Sequence, residues 1–316
     1  MRISAVLSLT MAMVTLMGGS EGTNRPIVGI LAQELPWILR VFGRTSFVPA
    51  SYVEAVEASG ARAVPIFINQ TMDYYRHMMT SINGVVFPGG GTDFSAPHGY
   101  AAAGRIIMDI AQQLQDSGVS IPILGVCQGF QLLMYLSANS TSEGYILVGC
   151  NATDVALPLD FRPGFNRSSL FKRASDEIIE ILQNLPVTSN HHRFCVTEKT
   201  FKSHGLQKSW QVLSTNRDVN GMEFISSVEH YRRPFVGLQF HPEVNAFKWN
   251  PVQGNPHSHK AILSARHFYD WLVEKSRANN QSFSNLQEEH NSLFSNYCPD
   301  LMHGNTVDEY RAYFFY

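Results

Sequence analysis

Short apolar runs alternate with segments of helical period through the first half of the chain. Residues 26–32, 61–68, 84–88 and 121–126 each have the length and composition of one buried strand. Between them apolar positions recur at helical spacing. Tyr52, Val53, Ala55 and Val56 precede a stop at Gly60, with Ser51 as a candidate cap; 74–81 follows, then 100–117, closed by Gly118. Strand and helix in strict alternation predict an α/β fold with a doubly wound, mostly parallel sheet flanked by helices. From 145 onward the pattern changes. Segments 145–148, 194–197, 211–215 and 223–230 read as shorter strands, some antiparallel, and 236–240 as one more buried strand. Residues 151–190, rich in Pro, Ser and Asn, carry no assignment beyond an amphipathic stretch at 177–185. The last strong helix is 259–278, with Ile262, Leu263, Phe268, Trp271 and Leu272 on its core face.

Three strand ends carry candidate chemistry. The run 121–126 leads into Gly125-x-Cys127-x-Gly129 and then a helical pattern through Phe130, Leu132, Leu133 and Leu136. That is a strand, sharp turn and helix, the thiol form of a nucleophile elbow. The amide of Gln128 and the start of its helix favour both a thiolate and an oxyanion at this point. The strand at 84–88 ends in Pro88-Gly89-Gly90-Gly91, whose freely turning amides can supply the other half of an oxyanion hole. The strand at 236–240 ends in His241-Pro242-Glu243. Alternation puts His241 and Glu243 on one side, where the imidazole can take the thiol proton and the carboxylate can hold the ring.

Composition narrows the setting. At 316 residues and 44% hydrophobic there is ample material for a core, and a net charge of -2 without a basic run argues against a nucleic-acid partner. No metal is expected, since His191-His192 and His257-x-His259 lack further ligands at a metal-site spacing. No phosphate loop or dinucleotide motif occurs, and no cofactor is implied. Residues 1–20 have a positive start, an apolar stretch and small residues at Gly18-Gly19-Ser20, and read as a secretory signal peptide, with no membrane span after its removal. Entry to the secretory pathway gives meaning to five glycosylation sequons, at Asn69, Asn139, Asn151, Asn166 and Asn280. Of four cysteines, Cys127 must stay reduced to act; Cys150, Cys195 and Cys298 cannot then all pair within one chain, and their state is left open. A free catalytic thiol suits the lysosome better than the extracellular medium.

The three motifs in this order resemble the class I glutamine amidotransferase superfamily. Within it the chain is similar to the gamma-glutamyl hydrolase family: the resemblance is carried by 25–31, 50–53 with 59–62, 81–90, 223–226, and His241-Pro242-Glu243 with Trp249, over about residues 25–275. The domain is accordingly drawn at 25–278, with 279–316 as an extension packed on or trailing from it. The resemblance implies a cysteine hydrolase of folate poly-gamma-glutamates, with a related thiol amidase on another gamma-glutamyl compound or glutamine as the alternative. It implies Cys127 as nucleophile, His241 as base and acid, Glu243 as orienter, amides of Gly90 and Gln128 as oxyanion hole, and His192 and Gln131 as substrate contacts. It also implies a homodimer, in the lysosome or outside the cell. Residues 128 and 131 depart from the family, which leaves endo or exo cleavage open. Arg40, Arg44 and Arg193 are candidates for holding substrate carboxylates.

Overall fold

The computed structural model of the chain describes residues 22–35, 43–138, 146–250, 253–302 and 310–316; the segment 1–20 expected to be a signal peptide, Arg40 and Asn139 lie outside these. In chain order the elements are β1 (Ile27–Leu31), β2 (Gln33–Glu34), β3 (Ser46–Pro49), α1 (Ala50–Ala58), β4 (Arg62–Ile66), α2 (Met72–Ser81), β5 (Gly84–Phe87), α3 (Tyr100–Asp116), β6 (Ile123–Val126) and α4 (Gln128–Ser137). There follow β7 (Val148–Leu157), β8 (Asp160–Phe161), α5 (Asp176–Asn184), β9 (Thr188–Cys195), α6 (Glu198–Ser203), β10 (Trp210–Arg217), β11 (Glu223–His230) and β12 (Phe235–Leu238). Last come α7 (Val244–Phe247), α8 (His259–Ser276), α9 (Leu286–Ser292), β13 (Asp300–Met302) and β14 (Tyr310–Phe315).

The main sheet has eight strands in the order β4-β1-β5-β6-β12-β11-β10-β8. β4, β1, β5, β6 and β12 run parallel, and β11, β10 and β8 extend the sheet antiparallel. This is the mixed α/β sheet expected from the alternating pattern. Every residue of β1, β5, β6 and β12 is buried, because helices cover both faces. Successive side chains therefore enter different cores. Ile27, Val85, Phe87 and Ile123 pack with α2, α3 and α4, while Val28, Val86, Leu124 and Val126 pack with α1, α5 and α8.

Several boundaries differ from expectation. Helix α1 begins at Ala50, directly after Pro49, which is extended (φ -62°, ψ 135°) and gives no side-chain cap, so Ser51 lies inside the helix. Residues 148–157 and 188–195 form a two-stranded antiparallel ribbon apart from the main sheet. Its register shifts at Gly149/Ala152 and Thr153/Val155, and Asn151 and Asp154 do not follow a two-residue apolar repeat, so the strands expected at 145–148 and 194–197 touch only the ribbon's ends. A Cys150–Cys195 disulfide crosses the ribbon, leaving Cys127 and Cys298 as free thiols.

The segment after 278 packs onto the domain. Asn279 donates to the Asn83 and Ser120 carbonyls and accepts from the Asn83 side chain, and Glu289 takes both Arg25 and Arg62. β14 then pairs antiparallel with β3 in a four-stranded sheet ordered β13-β14-β3-β2. Phe294 and Phe315 enter the core on the α1 side.

Candidate active site

β5, β6 and β12 are neighbours in the sheet, with Leu238 opposite Val126 and Phe87 opposite Gly125. Their carboxyl ends therefore bring together the glycine turn, the cysteine and the histidine, at the edge where open parallel sheets place their ligands. Cys127 has φ +51° and ψ -107°, a strained conformation for a residue with a side chain. It is held at both ends: its amide donates to the Leu238 carbonyl (2.7 Å), and its carbonyl accepts from the Gln131 amide (3.0 Å). Gly129 has to be glycine, since a Cβ there would run into the Phe87 carbonyl where α4 crosses β5.

His241 Nδ1 lies 2.7 Å from Glu243 Oε1, on a carboxylate only 2% exposed. Such a partner fixes the proton on Nδ1 and turns Nε2 to the sulfur. The His241 amide donates to the Ser189 carbonyl at 2.8 Å, tying the base to β9. Burial pulls the imidazole pKa down, but the Cys127 and Glu243 charges and hydrogen bonds to both outweigh it and raise the pKa to about 10. The arrangement thus holds an imidazolium beside the sulfur. Tyr52 places its hydroxyl 3.3 Å from the same Nδ1 and accepts the Gly89 amide at 2.7 Å. Burial first, then the Glu243 charge, raise both Tyr52 and Tyr269 well above the ordinary phenol value, so both stay protonated around the carboxylate.

The glycine turn fits tightly against this group. A Cβ on Gly89 would meet His241 Cε1 at 2.6 Å, the Tyr52 hydroxyl at 2.7 Å and Cys127 Cβ at 3.0 Å, and one on Gly90 would overlap the Gln33 side chain. Gln128, as the first residue of α4, has an amide without an intrahelical acceptor. Its side chain staples the turn, donating to the Thr92 carbonyl (2.7 Å) and accepting from the Thr92 amide (3.0 Å). Gln33 donates to the Pro88 carbonyl and to Gln128 Oε1, both at 3.3 Å.

The expected substrate contacts fall elsewhere. Gln131 is buried under the nucleophile and donates to the Phe194 carbonyl (2.8 Å) and to Gln239 Oε1 (3.2 Å). Gln239, wholly buried, in turn donates to Cys127 Sγ at 3.8 Å. That residue escaped notice because it reads as part of a buried strand. Continuing the β6–β12 register by one step places it beside the cysteine. His192 is also buried, 3.5 and 3.4 Å from the sulfurs of Cys150 and Cys195; burial, then His241 and His191, push its pKa down to about 3. Its neighbour His191 points the other way, as alternation along β9 requires, and its ring centre is 5.6 Å from that of His241. Burial and the nearby His241 lower the His191 pKa, against the hydrogen bonds its ring makes to the Asn255 and Asp154 side-chain oxygens.

Above these groups opens a cleft of about 660 Å³ lined by Tyr52, Gly89, Gly90, Cys127, His191, His241 and Glu243 on its floor. Its rim is made by residues outside the motifs, among them Glu54, Phe247, Lys248, Trp249, Gln253, Leu301 and Arg311. Arg44 is not among them: it pairs with Asp300 (3.0 Å) and covers the Phe314 ring. Exposed Arg193 does not line the cleft either. Among the described residues, the lysine and arginine that line it are Lys248 and Arg311, the latter paired with Glu54 at 3.4 Å. Among the described residues, the sole cluster with metal-ligand chemistry is Cys150, His192 and Cys195, and its sulfurs are joined in the disulfide.

The sequence model of the Peptidase C26 family matches residues 26–243, a span that contains the glycine turn, the elbow and the histidine-glutamate pair. The gamma-glutamyl hydrolase of Homo sapiens is 33% identical over 297 residues, covering 93% of this chain and 91% of its own length. Gamma-glutamyl hydrolase B of Dictyostelium discoideum is 33% identical over 277 residues (87% and 79%), and gamma-glutamyl hydrolase 1 of Arabidopsis thaliana 31% over 258 residues (80% and 72%). Among solved structures, PurLQS from Thermotoga maritima superposes with a TM-score of 0.46 at 14% identity over 79% of this chain and 98% of that one, too loosely to argue from.

Proposed function

Because the chain belongs to the Peptidase C26 family, we propose that it is a cysteine hydrolase of gamma-glutamyl amide bonds whose substrates are folate poly-gamma-glutamates. The observation that carries this reading is the sulfur, imidazole and carboxylate of Cys127, His241 and Glu243 brought to one floor beneath an open cleft. Cys127 Sγ attacks the gamma-carbonyl carbon, and the electron pair of the C=O bond moves to oxygen. The amides of Gly90 and Gln128 hold that oxyanion. Collapse breaks the C–N bond as His241 gives its proton to the departing amine, leaving a thioester. Water, losing a proton to His241, then attacks the thioester; the acid is released and the thiol restored. Glu243 keeps the ring oriented throughout.

The rest of the setting is proposed with it. A disulfide between Cys150 and Cys195 suits an oxidising secretory compartment, with delivery to the lysosome or the cell exterior. Asn69, Asn151, Asn166 and Asn280 are all exposed, as glycosylation requires. Among the described residues, no helix is long and apolar enough to cross a membrane. The homodimer rests on the family resemblance, and light scattering on the purified protein would decide it.

The test is product analysis. The chain without residues 1–20, incubated with a folate pentaglutamate, should release glutamate or short polyglutamates, and Cys127→Ala should abolish release while melting like the parent. Intact substrate after incubation with an alkylatable wild-type thiol would move the activity to another gamma-glutamyl compound. Turnover retained by Cys127→Ala would remove the nucleophile.

A further inference from the structure

We infer that Trp249 is an aromatic subsite at the rim of the catalytic cleft, on which a flat ring at one end of the substrate stacks. The inference rests on the hydrolase reading above and adds to it a place for the part of the substrate that is not glutamate.

Trp249 is 71% exposed, whereas a tryptophan of this size is ordinarily covered over most of its surface. It is nevertheless not loose. The His257 ring lies against the indole with centres 3.9 Å apart and planes within 8°. The indole N–H donates to the Ala246 carbonyl at 3.3 Å. His257 Nδ1 is held at 2.8 Å by the Asn245 carbonyl. Asn245 is itself buried; its side chain donates to the Val187 and Ala261 carbonyls and accepts from Ser189. One face of the indole is thus backed by a fixed ring, and the high exposure belongs to the other. The platform is wired to the segment that begins at Glu243, two residues before Asn245, so it is held in register with the catalytic pair.

Its surroundings point to a ligand. Trp249 and half-exposed Phe247 both line the cleft that holds Cys127 and His241. Two large aromatics left open in the cleft that holds the nucleophile, one of them stacked from behind, offer contact area at little entropic cost because they are already ordered. The chemistry they select is a planar, electron-poor or amide-bearing ring, which an aromatic acyl group on a gamma-glutamyl chain provides. A chain of gamma-linked glutamates alone has no group that can use this surface.

The decisive quantity is a ratio. For wild-type protein and Trp249→Ala, kcat/KM is measured on pteroyl-pentaglutamate and on penta-gamma-glutamate without the aromatic acyl end. Truncating an aromatic side chain on which a ring stacks removes that stacking, so Trp249→Ala should shrink the preference for the pteroyl substrate about tenfold. Trp249→Phe, which keeps a face, should retain most of it. An activity-free readout accompanies this: in a Cys127→Ala background, calorimetric binding of pteroyl-diglutamate should weaken about tenfold with Trp249→Ala. An unchanged ratio or unchanged binding would overturn the subsite, including the case where both substrates suffer equally through a disturbed fold. Failure of wild-type protein to cut either substrate would instead overturn the hydrolase reading, and the subsite with it.

Discussion

The floor and the rim of the cleft are built on opposite principles. The floor comes from three adjacent strand ends and is buried apart from Gly90, which is open to the cleft: Cys127 is 5% exposed, and Gly89, Gln239 and Glu243 are buried around it. The rim comes from the short helix α7, the segment after it and the two C-terminal strands, and carries exposed Phe247, Trp249, Leu301 and a half-open Arg311–Glu54 pair. Proton transfer and oxyanion binding tolerate errors of only a few tenths of an ångström, so those groups sit where the sheet leaves no freedom. Recognition of a long substrate needs area and charge, which can stand in solvent. Substitutions on the floor should therefore cut turnover out of proportion to their size.

Apart from loss of the nucleophile itself, the largest such effect is expected at Gly89. A methyl group there collides with His241, Tyr52 and Cys127 together, and the resulting shift of the base should cost about a hundredfold in kcat. Gly91→Ala is the control, because nothing lies within 4 Å of its added carbon; two glycine variants with equal activity would erase the distinction between a packed floor and an open turn. A smaller loss is expected from Gln239→Leu, which removes the 3.8 Å donor to the sulfur without touching substrate. One hydrogen bond to a developing charge corresponds to about tenfold in kcat/KM. The acidic limb of the pH–rate profile should also move to higher pH, whereas a merely structural role would leave the limb in place.

The smallest effect is on stability. The His241 pKa is raised from 6.5 to about 10, through the Cys127 and Glu243 charges against burial. A raised pKa gives a stabilising contribution that is fully present below the unfolded value and lost as pH climbs through the folded one. Wild-type protein should therefore lose stability between roughly pH 6.5 and pH 10, and Cys127→Ala, which removes the sulfur beside the ring, should lose less over that range. NMR titration of the imidazole in Cys127→Ala should find its pKa lowered. An unmoved value would place the source of the shift outside the pair.

Legibility followed the physics of each region. The parallel strands and the helices between them from 26 to 137 are readable because a parallel strand buried on both faces is an unbroken apolar run and the helices show a period, whereas the short strands Gln33–Glu34 and Ser46–Pro49 carry no such signal. The ribbon of 148–157 and 188–195 is legible only at its ends, since much of it faces solvent and its irregular register blurs alternation. The C-terminal strands were missed for a similar reason: their pairing with Ser46–Pro49 is a contact between chain ends. At the site, Cys127, His241 and Glu243 lie together, because each follows a strand end. His192 and Gln131 were placed in the substrate pocket, but the structure puts His191 there and buries the other two. A shift of one residue along a strand changes the face.

The sequence alone determined the parallel core, the strained elbow and the chemistry of three strand ends, because these follow from local composition and a period of two or of 3.6. Only tertiary structure decided which strands are neighbours. That choice sets Gln239 beside the sulfur, His191 on the cleft side of β9, and Trp249, Leu301 and Arg311 around the mouth. Those placements depend on contacts between residues far apart in the chain, made by packing and strand register, and no local pattern records them.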